Sequence, residues 1–262
     1  MISFSRRGLK CHFAALHRAY GAQHWWPAAT PLEVAVGAIL TQNTAWVNVE
    51  RALASLRRAG KLSLQGLRST PRRELAQLVR SSGYFRQKAR SLHNFARFVA
   101  RQYGGSLARM MKPKARPVEP ENTGHLRRQL LALKGIGPET ADAILLYAGG
   151  HPLFVVDAYA RRIFERHGLF PARTSYDDIR SAVEQALAAM KPAAARDKRM
   201  GHRPSRMSRA RRSPLARKLA EFHGLLVLAG KQHCFKNRPD CAHCPLKKFL
   251  PEDSRLRMQP GD

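Results

Sequence analysis

The stretch that most limits what this chain can fold into is LKGIGPETADAILLYAGGHPLFVVD, residues 133–157. It opens on an apolar helix end, breaks at Gly135-Ile136-Gly137 and restarts as a helix at Pro138-Glu139-Thr140. Two glycines around one aliphatic residue let the backbone turn sharply while the Ile side chain anchors the turn in a core. The N–H groups of Gly137 and of the next helix's first turn then lack intrahelical partners, which makes an anion site suited to phosphate. Asp157 ends the apolar run FVV and opens a further helix, DAYARRIFERHGL. An acid there is either an N-cap or a group facing whatever the hairpin holds.

The chain has 262 residues, enough to bury a core in one domain or two small ones. Its 47 Lys plus Arg against 18 Asp plus Glu leave a net charge of +29, which speaks for a polyanionic partner. Nucleic acid fits better than an acidic membrane, because no segment is apolar over the length of a bilayer. The start, MISFSRRGLKCHF, carries no apolar run with a small-residue cleavage site, so a cytoplasmic, reducing compartment is expected, nucleoid-associated if bacterial. Cys11 stands apart, whereas Cys234, Cys241 and Cys244 lie together. In such a compartment that spacing argues for a metal or cluster site and against disulfides.

Along the chain, residues 9–20 read as an amphipathic helix. Thr30 with Glu33 forms a capping box, Pro31 takes the first helical position, and the helix is apolar on most sides to Leu40, so it should be buried. The polar corner Thr41-Gln42-Asn43-Thr44 precedes Trp46 and the next helix. Residues 64–101 read as short helices broken at Pro71 and at Ser81-Ser82-Gly83, with Lys88 and Arg90 on an exposed helix face. Residues 102–122 read as a connector, and His167-Gly168 stops the helix that begins at Asp157. Residues 191–214 are nearly all basic, small or proline and read as a loosely ordered arm, before a last helix from Leu215.

The segments HWWP, LTQNT, SGYFRQKA, KGIGPETADAI and VVDAYA together resemble the helix-hairpin-helix glycosylases, the endonuclease III superfamily of base-excision repair enzymes. HWWP is most similar to the 3-methyladenine glycosylase branch. The resemblance covers roughly residues 9–190 and 215–250. It implies an all-α, two-domain fold with a DNA groove between the domains. Residues 29–150 would be a six-helix bundle carrying the hairpin. Residues 1–28 would join 151–190 and 215–262 in a C-terminal helical domain, with 191–214 as the basic arm. The partner implied is double-stranded DNA containing damaged bases, bound by a monomer. Gly135, Ile136, Gly137 and Thr140 would hold phosphate, and Gln42 would sit near the gap left by an extruded base. Tyr84 would be the wedge that replaces lost stacking, and Lys88 would touch phosphate. Trp25, Trp26 and Trp46 are either base-pocket walls or core.

Family members that cleave the strand carry a Lys in GxGxKTA, whose amine attacks the sugar and forms an imine. This chain has GIGPETA, with Glu139 in that place, and neither Lys134 nor Lys88 aligns with the nucleophile. The resemblance therefore implies a monofunctional glycosylase in which Asp157 stabilises charge developing on the sugar or orients a water. Alkylated purines suit so small a catalytic set, because a cationic base leaves readily and gains roughly 0.5–2 kcal/mol over an indole face. The alternatives are an endonuclease III-like glycosylase/AP lyase for oxidised pyrimidines and a non-catalytic DNA-binding protein. The tail spacing C-x6-C-x2-C is similar to the first three ligands of the family's [4Fe–4S] loop, but Leu250 stands where the fourth cysteine belongs. Cys11, His233 or His243 is then the candidate fourth ligand, and zinc or no metal is the alternative to a cluster. His125, His151 and His167 show no ligand spacing.

Overall fold

The computed structural model describes residues 5–111, 120–190 and 204–251. Its helices are α1 (Arg6–Tyr20), α2 (Pro31–Leu40), α3 (Trp46–Arg58), α4 (Leu64–Ser69), α5 (Arg72–Leu78) and α6 (Phe85–Tyr103). They continue as α7 (Leu107–Met111), α8 (Pro120–Leu131), α9 (Pro138–Ala143), α10 (Ala158–Arg166), α11 (Tyr176–Ala188) and α12 (Pro214–Gln232). Helix α9 runs on into a wide π turn at Ile144–Ala148. No strand occurs among the described residues, and the fold is all-α.

The chain divides into two compact units. The hairpin unit comprises Trp26–His151 and Ser205–Ala210, and the cysteine unit comprises Met1–Trp25, Pro152–Pro204 and Arg211–Asp262. In the hairpin unit α2 is buried from Val34 to Leu40 and packs on the π turn, α3, α6 and α9. Its start is built as the sequence requires. Thr30 Oγ1 accepts from Glu33 N at 3.1 Å, and Glu33 Oε2 reaches back to Ala29 N at 2.8 Å. Helix α6 lays Leu92, Phe95, Ala96 and Val99 against α4 and α5. Arg127 on α8 clamps Asp142 on α9 through two hydrogen bonds of 2.7 and 3.2 Å, and the Asp142 side chain is fully buried.

In the cysteine unit, α1 packs on α11 and α12 through Leu9, Phe13 and Leu16, spaced for one helix face. Phe222 on α12 is the centre of that core: its ring lies 5.5 Å from Phe13, 5.7 Å from Phe154 and 6.0 Å from Phe164.

Two expectations need correction. Much of the expected arm, residues 191–203, lies outside the described residues. Residues 205–210 are not loose: Ser205 Oγ donates to Trp26 O at 2.6 Å and Met207 N to Ala28 O at 3.1 Å. Met207 is the reason, since it gives an otherwise basic segment one apolar side chain to bury. The connector expected at 102–122 contains α7, whose Leu107, Met110 and Met111 are buried, and from Pro120 it is already α8; residues 112–119 lie outside the described set.

Candidate functional site

The hairpin is shaped by two glycines with different jobs. Gly135 has φ +94, and a Cβ there would lie 2.0 Å from Ser91 Oγ on α6, so both conformation and packing demand glycine. Ile136 is buried beneath the turn and its N–H donates to Leu133 O at 3.0 Å. Gly137 differs: its φ is −93, it is exposed, and a Cβ would meet no atom within 4 Å. Nothing in the protein requires glycine there, whereas a ligand approaching the backbone would. Gly135→Ala is therefore expected to lose about 1–3 kcal/mol of stability. Gly137→Ala should keep the melting temperature and weaken duplex binding by about 10- to 100-fold, because its Cβ would hold a phosphate away from the backbone N–H and stretch a charge-assisted hydrogen bond. Melting curves and binding isotherms check the pair.

Gln42 is tied into this turn. Its side-chain amide donates to Gly135 O at 3.1 Å and to Thr140 Oγ1 at 2.9 Å, so the corner after α2 is fastened to the hairpin. The Thr140 side chain is buried by this contact. Tyr84 has φ +45 at the start of α6 and is 66% exposed. Lys88 is a correction. It was expected on an exposed face near phosphate, but it is 3% exposed and its ammonium donates to Ser82 O at 2.5 Å. Burial lowers its pKa to about 8. Lys88 braces the Ser82-Gly83-Tyr84 turn from inside, with its Nζ turned into the protein. Glu139 is exposed in the first turn of α9, where the helix dipole favours an acid.

The three tryptophans do not form one group. Trp26 is 4% exposed and meets Trp46 edge-on at 5.4 Å and Tyr147 at 5.1 Å. Gly37 leaves room for this cluster, since a Cβ there would come within 3.3 Å of Trp46 and 3.5 Å of Trp26. Tyr147, on the π turn, was not picked out in the sequence because it reads as one more apolar residue of AILLYA. Trp25 turns instead to α12 of the cysteine unit, where Gly224 admits its Cβ and Lys231 Nζ lies 5.8 Å from its ring centroid.

Glu221 of α12 is a half-buried acid that faces the turn at Gln23-His24. It accepts from Gln23 N and His24 N, and His24 has φ +48. Burial outweighs those two bonds and raises its pKa to about 7. A carboxyl raised in the folded state favours folding below its ordinary value of 4.5 and loses that contribution as pH climbs through about 7. The stability of wild type relative to Glu221→Gln should accordingly fall between about pH 4.5 and 7. Chemical denaturation of both proteins across that range measures it.

Asp157 caps α10: Oδ1 accepts from Ala160 N at 2.7 Å. Its second oxygen lies 3.5 Å from Nε2 of His223, a buried residue of α12. The sequence signal for His223 was a lone histidine inside the apolar run FHGLLVLAG.

Cys234, Cys241 and Cys244 line one small cavity with Arg166, His167, His233, Leu246 and Leu250. Arg166 donates to Cys234 Sγ at 3.1 Å and to the carbonyls of Phe235 and Lys236, and Arg162 donates to Cys234 O at 2.7 Å. Burial pushes the Cys241 and Cys244 thiols up. Leu250 fills the place of a fourth thiolate with a buried aliphatic side chain. Cys11 does not line the cavity, and His243 is outside it, bonded to Asp240 at 2.8 Å. Among the described residues no group of three or more His, Cys, Asp or Glu side chains is arranged to hold a metal ion. The residues present do not fit a four-thiolate cluster.

Residues 36–189 match the family described as HhH-GPD superfamily base excision DNA repair protein. The chain belongs to that superfamily. It is 36% identical over 230 residues to MJ1434 of Methanocaldococcus jannaschii, a DNA repair glycosylase by provisional assignment, covering 88% of this chain and 90% of that one. Endonuclease III of Bacillus subtilis is 24% identical, with 87% and 84% covered. Among solved structures, the H. pylori 3-methyladenine DNA glycosylase MagIII bound to 1,N6-ethenoadenine superposes with a TM-score of 0.64 at 27% identity, covering 88% of this chain and 98% of that one. An endonuclease III–DNA complex superposes at 0.69 with 18% identity, covering 98% and 99%, a likeness of fold.

Proposed function

We propose that this superfamily member is a monofunctional DNA glycosylase that releases alkylated purines of the 3-methyladenine kind from double-stranded DNA. The observation that carries the reading is Glu139 in the place of the imine-forming lysine, with Asp157 retained. A carboxylate cannot form an imine, and the buried position of Lys88 removes one of the two nearby amines from consideration. In this reading the base leaves, Asp157 stabilises the positive charge left on the sugar or orients the attacking water, and an abasic site remains. The open backbone of Gly137 receives a phosphate, Tyr84 fills the stack, and Trp26 with Trp46 forms an aromatic wall for a cationic base. The similarity to the H. pylori enzyme supports the lesion class. The protein acts as a monomer, in the cytoplasm or on the nucleoid, and its cysteine loop is structural.

The likeness in sequence to the B. subtilis endonuclease III favours a second reading, a glycosylase/AP lyase. One assay separates them. Incubated with methylated duplex, the protein should release 3-methyladenine, and borohydride with abasic DNA should trap no covalent adduct. An adduct that disappears in Lys134→Ala, with no methylated base released, would establish the second reading. Iron, sulfide and zinc analysis of the purified protein, with its visible spectrum, tests the loop: iron with sulfide and a visible iron–sulfur band would show a cluster completed in another way.

A further inference from the structure

Helix α6 carries a row of basic residues, with one asparagine among them, that runs away from the hairpin. Arg90, Asn94, Arg97 and Arg101 follow one another at steps of four, three and four, which places them along one side of the helix. Within that row Asn94 marks the hairpin, since its side-chain amide reaches Lys134 O at 3.5 Å. Beside it and for two turns further on, a cleft of about 280 Å³ is lined by Arg68 of α4 and by His93, Arg97, Ala100 and Arg101 of α6. No carboxylate lines it. Among the described residues none of the three guanidinium groups makes an ion pair or hydrogen bond. His93, half-buried, lines the cleft beside Arg97, and its ring also meets the Leu67 backbone of α4. Elsewhere in the chain arginines do find acids, as Arg127, Arg57 and Arg180 do.

We infer that this cleft is a phosphate-binding site, separate from the hairpin turn and reached from it along α6. Three planar forks lining one recess suit a tetrahedral oxyanion, which accepts from several guanidinium groups at once. The rise of α6 puts Arg101 roughly 10 Å beyond Asn94 along the axis, about three phosphate steps of a strand at roughly 3.4 Å each along the duplex. The site rests on the chain's membership of a DNA-repair superfamily and on no assumption about the lesion excised. Two sources offer the same chemistry, a backbone phosphate of the bound duplex and free phosphate. Burial, followed by the charges of Arg72 and Arg97, holds His93 below its ordinary value, so His93 is a built-in reporter of a bound anion.

The test has two arms, both on the full chain. In the first, binding to an undamaged duplex is measured against salt for wild type, Arg101→Gln and the triple variant Arg68→Ala/Arg97→Ala/Arg101→Ala. A backbone phosphate in the cleft predicts a salt slope shallower by about 1 in the triple variant, with the melting temperature unchanged. The exposed Arg101→Gln should give a smaller change of the same sign if the triple variant proves unstable. In the second arm, the His93 imidazole is titrated by NMR with and without inorganic phosphate. Occupation raises its pKa by about 1 unit. A slope change assigns the cleft to the duplex, and a His93 shift without one assigns it to free phosphate. An unchanged slope together with an unmoved His93 would overturn the site. Base release from methylated duplex is not the readout, so a different lesion specificity would leave this result standing.

Discussion

Asp157→Asn is expected to lower base release from methylated duplex by about 100- to 10,000-fold while DNA affinity and melting temperature stay near wild type. The substitution separates the two roles that the structure lets this residue hold. Asn caps a helix about as well as Asp, and its carbonyl oxygen can still accept from Ala160 N, so α10 should start where it does now. Only the charge is lost, at the oxygen that lies 3.5 Å from His223. Asp157→Ala is the control for the cap alone and should cost roughly 1 kcal/mol. Single-turnover release and equilibrium binding on the same DNA decide the matter. If Asp157→Asn releases base at the wild-type rate, the carboxylate is only a cap and another group serves the sugar; if neither protein releases base, the chain is a DNA-binding protein with an inert hairpin.

The second large effect concerns stability. Arg127→Ala should lower the unfolding free energy by about 3–5 kcal/mol, because it leaves the fully buried Asp142 carboxylate without its guanidinium. Asp142 sits in the helix that follows the hairpin, so the loss is expected to reach duplex binding as well. Replacing both residues by apolar ones, Arg127→Met with Asp142→Leu, should lose much less, since no charge is then stranded. Denaturant titrations of the three proteins measure the difference.

Local rules made a good part of this fold legible. The Thr30–Glu33 box, Pro31 at the helix start, the stop at Gly168 and the sharp turn at Gly135 all depend on residues a few positions apart. What the sequence hid depends on partners far away. A lysine in an amphipathic helix reads as solvated, and only the carbonyl of Ser82 folded over it makes Lys88 an interior strut. Trp25 and Trp26 read as a pair because they are adjacent, yet one packs on α12 and the other on Trp46 and Tyr147. Asp157 was visible as a helix start, but His223 beside it lies in another helix, and no spacing rule connects them. The cysteine spacing suggested a cluster, while the aliphatic side chain of Leu250 in the cavity argues against a fourth thiolate there.

The short docking of Ser205 and Met207 onto Trp26 and Ala28 has a bearing on how the protein can be dissected. The backbone passes from one unit to the other at Trp25–Trp26, at His151–Pro152, at Pro204–Ser205 and again at Ala210–Arg211. Neither half is therefore a continuous piece of chain, and a fragment cut to residues 26–151 would leave the carbonyls of Trp26 and Ala28 uncovered beside the ring cluster of Trp26, Trp46 and Tyr147. The chain made as two pieces, 1–190 and 204–262, should accordingly co-purify under native conditions and part only in denaturant.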